Sequence, residues 1–362
     1  MADVRTQRLR PVESSREPSV SVVVPCYKYG KFLPDAVGSA LSQTGVRVDV
    51  RVVDDASPDD SAEVARALAA ADSRVSCVVH SQNHGHIATY NEGLGRATGD
   101  YVVLLSADDL LTPGSLRRAT DLLEARRDLA FVYGYAPSFS DRIPVPNTQL
   151  RSWSVWSGTE WLGRICSRGN GLVTNPEAVM RRSVLAELGG YDAAHPHAAD
   201  FKLWLHASLR GAVGRVNGPD QAFYRVHGAN MHLTDFNGVF TDLRERRRAF
   251  EDFFAEERTA YPEIDRLRPV ALRALAHESL KWGSRAYDES ASKQREMGAR
   301  TALEEYTEFA VDTWPDIRGS ASWRACERRS RGEVSWIAQQ MSAAEWSLRH
   351  KLRWRRWRRF GT

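Results

Sequence analysis

Tyr101-Val102-Val103-Leu104-Leu105-Ser106-Ala107-Asp108-Asp109 is the stretch that decides the fold. Its aliphatic and β-branched run predicts a strand buried on both faces. The run ends in two adjacent carboxylates, and Asp is a poor strand former. In an open α/β sheet, the carboxyl end of a strand is where ligands bind. The stretch therefore predicts a cation and nucleotide site. A local alternative is helix capping, with Asp109 closing the turn that follows. Thr112 is the better cap, with Pro113 behind it at the first helical position. That leaves the two acids free for function.

Working outward, Val20 to Pro25 reads as a strand stopped by proline, with Cys26 to Gly30 as its loop. A helix from about Phe32 to Ser42 leads to a strand, Val48 to Val53, which also ends in two acids, Asp54-Asp55. Asp54 is expected to cap its own turn. An Ala-rich helix (62–71), a strand (75–80), the turn Asn83-His84-Gly85 and a helix (87–96) lead back to the opening strand. Strands alternating with helices of this length predict a mostly parallel central sheet with right-handed crossovers. Three successive strand ends carry polar loops on one edge, the geometry of a nucleotide crevice. No GxGxxG follows the first strand and no GxxxxGK[ST] occurs, so a Rossmann dinucleotide site and a P-loop are disfavoured. A carboxylate-held cation is then needed to neutralise a diphosphate.

The 362 residues are enough for one large domain and a smaller one. No run approaches the ~20 apolar residues of a membrane span. Residues 1–18 are polar, lack the apolar stretch of a signal peptide, and are expected to be a disordered leader. Four scattered cysteines, with no CxxC, argue against zinc ribbons and disulfides and fit a cytoplasmic setting. The net charge is +4, yet Arg349 to Thr362 holds seven Lys and Arg and no acid, leaving −3 for the rest. The positive charge is a local device of the C-terminus.

The motifs Val-Ser-Val-Val-Val-Pro-Cys-Tyr, Val-Val-Asp-Asp-Ala-Ser-Pro-Asp-Asp-Ser, Asn83-His-Gly…Asn91 and Ser-Ala-Asp-Asp, in this order and spacing, resemble a family 2 glycosyltransferase with a GT-A fold. The resemblance covers about residues 19–233, so a GT-A domain is expected over 19–235. It implies an inverting enzyme that uses a nucleotide-diphosphate sugar, often UDP-linked, with Mg²⁺ or Mn²⁺. It implies that Pro25 and Tyr27 frame the uracil pocket, that Asp55 contacts the base, and that Asn83 is a further nucleotide-binding residue. Asp108 is similar to the ribose-binding position and Asp109 to the metal ligand. Ser106 stands where an acid is more common, and Tyr90 where an Arg often precedes the helix Asn.

Farther on, residues 136–158 are Pro-rich and aromatic, and read either as a flap or acceptor wall or as a surface loop with two packed tryptophans, Trp153 and Trp156. Ala199-Asp200-Phe201-Lys202-Leu203-Trp204 resembles the family's Glu-Asp-Trp motif with Ala199 in place of the Glu. Asp200 is the expected general base. As a residue in a helix's first turn it also suits a simple capping role. His197 lies near enough in sequence to help it. Tyr224-Arg225-Val226-His227 resembles the family's closing motif, which makes His227 a metal ligand or phosphate contact.

From Phe236 to Thr362 the chain reads as a helical region, expected to cover the acceptor cleft, form a homodimer or dock a partner. Its last helix (334–360) carries an apolar stripe, Ile337, Met341, Ala344, Leu348 and Leu352. Trp346, Trp354, Trp357 and Phe360 lie nearly opposite, with arginines between. Trp beside Arg suits peripheral contact with an anionic membrane, at the inner face of the cell membrane; a packed helix with a solvated basic end is the alternative. The short basic run, with no patch on the body, argues against nucleic acid. The acceptor is expected to be a glycan, a lipid-linked sugar or a natural product. A nucleotidyltransferase, or a non-catalytic nucleotide-sugar scaffold, are the competing readings.

Overall fold

A computed structural model of the chain describes residues 6–228, 230, 238–285 and 299–361. It divides into two compact units. The first comprises Met1–Trp161, Val173–Asn230 and Arg359–Gly361; the second comprises Leu162–Leu172, Met231–Arg358 and Thr362.

The first unit is an α/β domain. Its strands are β1 (Gln7–Leu9), β2 (Ser19–Cys26), β3 (Arg47–Asp54), β4 (Val75–Val79), β5 (Tyr101–Leu104), β6 (Leu110–Leu111), β7 (Leu129–Tyr133), β8 (Ser138–Phe139), β9 (Ser152–Trp156), β10 (Val179–Arg181), β11 (Ala212–Asn217) and β12 (Ala222–Arg225). Nine of them form one sheet in the order β1-β9-β11-β7-β10-β5-β2-β3-β4. The other three form a small sheet, β6-β12-β8. The half β4-β3-β2-β5 is parallel throughout, as the alternation of strands and helices predicts. The other half is not. β10 runs antiparallel to both β5 and β7, and β9 antiparallel to β11 and β1. Only β7 and β11 are parallel there. The whole sheet is therefore mixed, which corrects the expectation of a mostly parallel one. The cause is the segment after β7, which departs from the strand–helix–strand rhythm and returns through β10 in the opposite direction.

Three local expectations also change. β2 does not stop at Pro25 but ends one residue later, at Cys26 paired with Asp54. The missing Pro25 N–H is tolerable because it falls at the strand's end. Residues 7–9, expected within a disordered leader, form an edge strand on β9. Within 136–158, β9 is built into the large sheet with Trp153 and Trp156 both 1% exposed, so this part is core and not a flap.

The helices of this unit are α1 (Leu33–Leu41), α2 (Ser61–Ala71), α3 (His86–Gly95), α4 (Ser115–Ala125), α5 (Gly158–Arg168, which runs on into the second unit), α6 (Arg182–Leu188) and α7 (Ala199–Leu209). α4 begins after Gly114 in the left-handed region, not at Thr112. The Thr112 hydroxyl instead donates to the Asp220 carbonyl at 2.6 Å. Valines of β2 and β3 pack with Leu33, Val37, Leu116 and Leu122 into the main core. Helix α3 lies so close to the sheet that a Cβ on Gly93 would sit 2.4 Å from Val23 Cγ1. This packing fixes the strand ends that carry the acids.

The second unit is helical: α8 (Val239–Glu257), α9 (Arg268–Arg285), α10 (Ala299–Thr313), α11 (Ala321–Ser330) and α12 (Trp336–Phe360). Ala276, Leu280, Leu303, Ala310, Ile317 and Cys326 form a buried cluster within it. Pro262 and Pro315 each open a 3-10 turn between helices. The sequence from Ser292 to Ala310 reads as a helix, and its residues 292–298 lie outside the described residues. Among the described residues no helix is long and apolar enough to cross a membrane.

Candidate active site

The sheet order sets the C-terminal ends of β3, β2 and β5 side by side. Each leads into a loop with polar or acidic residues. After β3, Asp54 accepts from the Ser57 amide at 3.1 Å, the turn-capping role expected of it. Asp55 is buried and richly supplied with donors. Its Oδ1 receives His84 N–H at 2.7 Å and faces His80 Nδ1 at 2.7 Å; its Oδ2 receives Gly85 N–H at 2.9 Å. Burial pushes the Asp55 carboxyl up, but the His84 amide, His80, Thr89 and the Gly85 amide together hold it below the usual range. His80 Nε2 in turn meets Glu92 Oε2 at 2.8 Å. Burial disfavours a charged His80, yet the two carboxylates outweigh burial and raise its pKa. Asn83 braces the same corner, donating from Nδ2 to the Asp55 carbonyl. After β2, Pro25 is buried, whereas Tyr27 is 41% exposed with Lys28 Nζ over its ring.

At the end of β5, Asp108 and Asp109 are both buried. The chain turns immediately, with Asp109 N–H donating to the Ser106 carbonyl, and enters β6. Pairing of β6 with β12 then delivers the Arg225–His227 segment to the acids. Arg225 N–H donates to Asp109 Oδ1 at 2.9 Å, and its Nε donates to the Asp108 carbonyl at 2.8 Å. The Arg225 guanidinium lies between the rings of Phe32 and Phe139, 4.6 Å from each. His227 Nε2 is 3.0 Å from Asp108 Oδ2, which also accepts from Asn230 Nδ2 at 3.1 Å. Asp109 Oδ2 is buried and accepts no hydrogen bond. Burial raises the Asp109 carboxyl well above its ordinary value, and the adjacent Asp108 charge raises it further. Asp108 is raised as well, by burial, with His227 opposing. A buried carboxylate oxygen without a donor, beside a second acid and an imidazole, is the donor set a hard divalent cation takes.

Asp200 occupies the first turn of α7, where its Oδ1 accepts from Phe201 N–H at 2.6 Å. Its charge reaches the same phenols as the β5 acids. Burial raises the Tyr90 pKa, and Asp200, Asp108 and Asp109 raise it further. Tyr224 responds to the same three carboxylates. The adjacent pair Asp108 and Asp109 and the distant Asp200 thus act electrostatically on the same two phenols. Tyr90 is also edge-on to Tyr191, 5.5 Å between centroids. Tyr191 is held by Asn91, which bonds both its amide and its carbonyl. That clasp needs Gly190 at φ +100, where a Cβ would come within 2.4 Å of Asn91 Oδ1.

The sequence model described as "Glycosyl transferase family 2" matches residues 21–189, which run from within β2 through β10 and hold both acid pairs. This segment belongs to glycosyl transferase family 2. Among curated relatives of this family 2 domain, an uncharacterized glycosyltransferase of Haemophilus influenzae is 25% identical over 218 residues, covering 58% of this chain and 66% of the relative. The chain thus spans just under two thirds of that relative's length. Among solved structures, TarS of S. aureus aligns with a TM-score of 0.55 at 15% identity, covering 81% of this chain and 55% of that one. The mannosyltransferase PcManGT of Pyrobaculum calidifontis, solved with GDP-Man and Mn²⁺, aligns at 0.50 and 18%, covering 85% and 89%. At these identities the structural likeness speaks for the fold alone.

Within the first unit, Asp108, Asp109 and His227 come together, Asp55 and Asn83 form a second corner, and the charge of Asp200 acts on Tyr90 as those of Asp108 and Asp109 do. His197, weighed as a helper to Asp200, is half-buried. Ala199, where a Glu is usual, is 3% exposed and part of the apolar interior. Sequence reading missed His80 and His84. With Asp55 they are a group of three whose ligating atoms lie within 4.8 Å of one another. The signal was there in outline: His80 ends the strand next to the one that ends in Asp55. The two corners compete as metal sites. Asp55 already takes two amide N–H groups and an imidazole, whereas Asp109 Oδ2 takes nothing, so the Asp109 corner fits a cation better.

Proposed function

We propose that this family 2 domain transfers a sugar from a nucleoside-diphosphate donor to a hydroxyl acceptor with inversion, with Asp200 as general base. The observation that carries the reading is the cluster of Asp108, Asp109 and His227 at the end of β5, where Asp109 Oδ2 is buried without a hydrogen bond. Asp109, flanked by Asp108 and His227, would hold Mn²⁺ or Mg²⁺, which when bound offsets the charge that develops on the leaving diphosphate. Asp108, held by His227 and Asn230, is assigned to the ribose. The Asp55 carboxyl, held below the usual range by its donors, stays a hydrogen-bond acceptor. Such a group selects a base with a ring N–H, as in uracil or guanine, and UDP is the first choice. Pro25 and Tyr27 flank that base. The Asp200 carboxylate takes the acceptor's proton as its oxygen attacks the anomeric carbon, and the bond to the diphosphate breaks on the opposite face. One base and one displacement give inversion; a retaining route would need a second nucleophilic carboxylate. The acceptor class is a glycan, a lipid-linked sugar or a small molecule.

The reading is tested by incubating the protein with a panel of UDP- and GDP-sugars and Mn²⁺, and measuring release of free nucleotide. Release from at least one donor, abolished by chelator and by Asp109→Ala, supports it. Release that persists undiminished in Asp109→Ala refutes the cation assignment.

A further inference from the structure

Helix α12 carries an apolar face that the second unit leaves open. Ile337, Met341, Leu348 and Leu352 are 65%, 69%, 58% and 52% exposed. At about 100° per residue they fall within about 60° of one another and run for about 22 Å along the axis. The opposite side of the helix, about 170° away, carries Trp357, which is only 7% exposed. So α12 has an inner face and an outer face, and the large apolar residues at these four positions are on the outer one. The side chains of Trp346, Trp354 and Phe360 lie outside the described residues.

The charges follow the same outer face. Lys351 borders the stripe on one side, and Arg349 and Arg356 on the other. Arg355 continues it at the C-terminal end. All four are exposed, and only Arg349 has an acid on its own helix, Glu345 at 2.5 Å. No acid follows Glu345 in the sequence. The basic field extends to the neighbouring α9. Burial lowers the Lys281 pKa, and the charges of Arg353, Arg285 and Arg349 lower it further, with Glu278 opposing.

We propose that this face of α12 docks on an anionic lipid bilayer, with the four apolar side chains entering the headgroup–acyl boundary and the flanking basic residues meeting lipid phosphates. An apolar stripe with cationic borders on a helix lying in the interface plane is the pattern such surfaces bind. A second copy of the chain fits less well. Four side chains are far short of the roughly 800 Å² per partner of a stable interface, and pairing two such faces would leave the basic borders without counter-charge.

The test is co-sedimentation of the full chain with vesicles of neutral phosphatidylcholine, alone or with roughly 30% phosphatidylglycerol. The wild type is expected to bind the anionic vesicles at least tenfold more than the neutral ones. L348E/L352E and, separately, K351E/R355E each lower that binding at least tenfold while keeping the wild-type circular dichroism and melting temperature. All these positions are exposed, so folding is preserved. Light scattering runs in parallel. The proposal is overturned if the wild type binds neither vesicle or both equally, or if L348E/L352E binds as wild type. It is equally overturned if the wild type is a dimer that L348E/L352E dissociates.

Discussion

Arg225 is the residue through which the closing motif grips the β5 acids, and replacing it has a cost that follows from its contacts. The guanidinium donates from Nε to the Asp108 carbonyl and stacks between Phe32 and Phe139, and the residue is 6% exposed. A hydrogen bond from a charged donor contributes about 1.5–3 kcal/mol. Each cation–π contact at a desolvated site adds about 0.5–2 kcal/mol. The ion pair to Asp35 is 3.5 Å long with Asp35 54% exposed, and adds about 0–1 kcal/mol. R225M recovers part of this, because methionine fills the slot between the rings and stacks well on them. The net loss for R225M is then about 2–4 kcal/mol. R225K keeps the charge and loses the planar fork that both rings and the carbonyl use, so it should lose about half as much. Arg225 N–H also anchors Asp109, so the site loosens with the stack. Stability is read by urea unfolding and the site by calorimetric titration of UDP with Mn²⁺, where both variants should bind at least tenfold more weakly. If R225K matches wild type in both assays, the stacked guanidinium is not what holds the acids, and the reasoning fails.

Two further substitutions probe other joints of the domain. A Cβ on Gly158 would lie 1.5 Å from the Ser208 carbonyl oxygen and 2.6 Å from that of Gly211, so G158A must displace backbone; a loss of more than ~3 kcal/mol is expected in thermal unfolding. H80F removes imidazole contacts to Asp55 and Glu92; with Glu92 28% exposed and able to rehydrate, the cost is about 2–4 kcal/mol near pH 6. The raised His80 pKa sets the sign of the pH dependence: its contribution is fully present below about 6.5 and is lost as pH rises through the folded-state value. The gap between wild type and H80F should therefore shrink by pH 9, and a gap that grows with pH would contradict the imidazolium bridge.

The parallel half of the sheet and its two acid pairs were legible because each strand is a long apolar run with turn chemistry after it. β2 and β3 have eight residues each, and their ends announce themselves as Pro-Cys-Tyr and Asp-Asp. β10, by contrast, is three residues, Val179 to Arg181, too short for any period to show, yet it inserts antiparallel between β5 and β7. β1 is equally short and exists only through its pairing with β9. The Asp55–His80 contact was hidden for a related reason. It forms because parallel β3 and β4 end level with each other, a matter of register that local composition does not express. In the sequence Arg225 was legible as a member of the closing motif; in the structure its backbone and side chain serve the two acids. The apolar stripe of α12 was legible as a stripe, but which side of the helix it occupies depended on where Trp357 is buried.

The central claim is that Asp200 removes the acceptor's proton in the transfer step, and D200N tests it most directly. Asparagine keeps the size and the hydrogen bond from Phe201 N–H while removing the basic oxygen. With any donor the wild type turns over, the account predicts that D200N binds nucleotide and Mn²⁺ within about threefold of wild type while kcat falls about 10²–10⁴-fold. A D200N enzyme that keeps wild-type kcat would contradict the account.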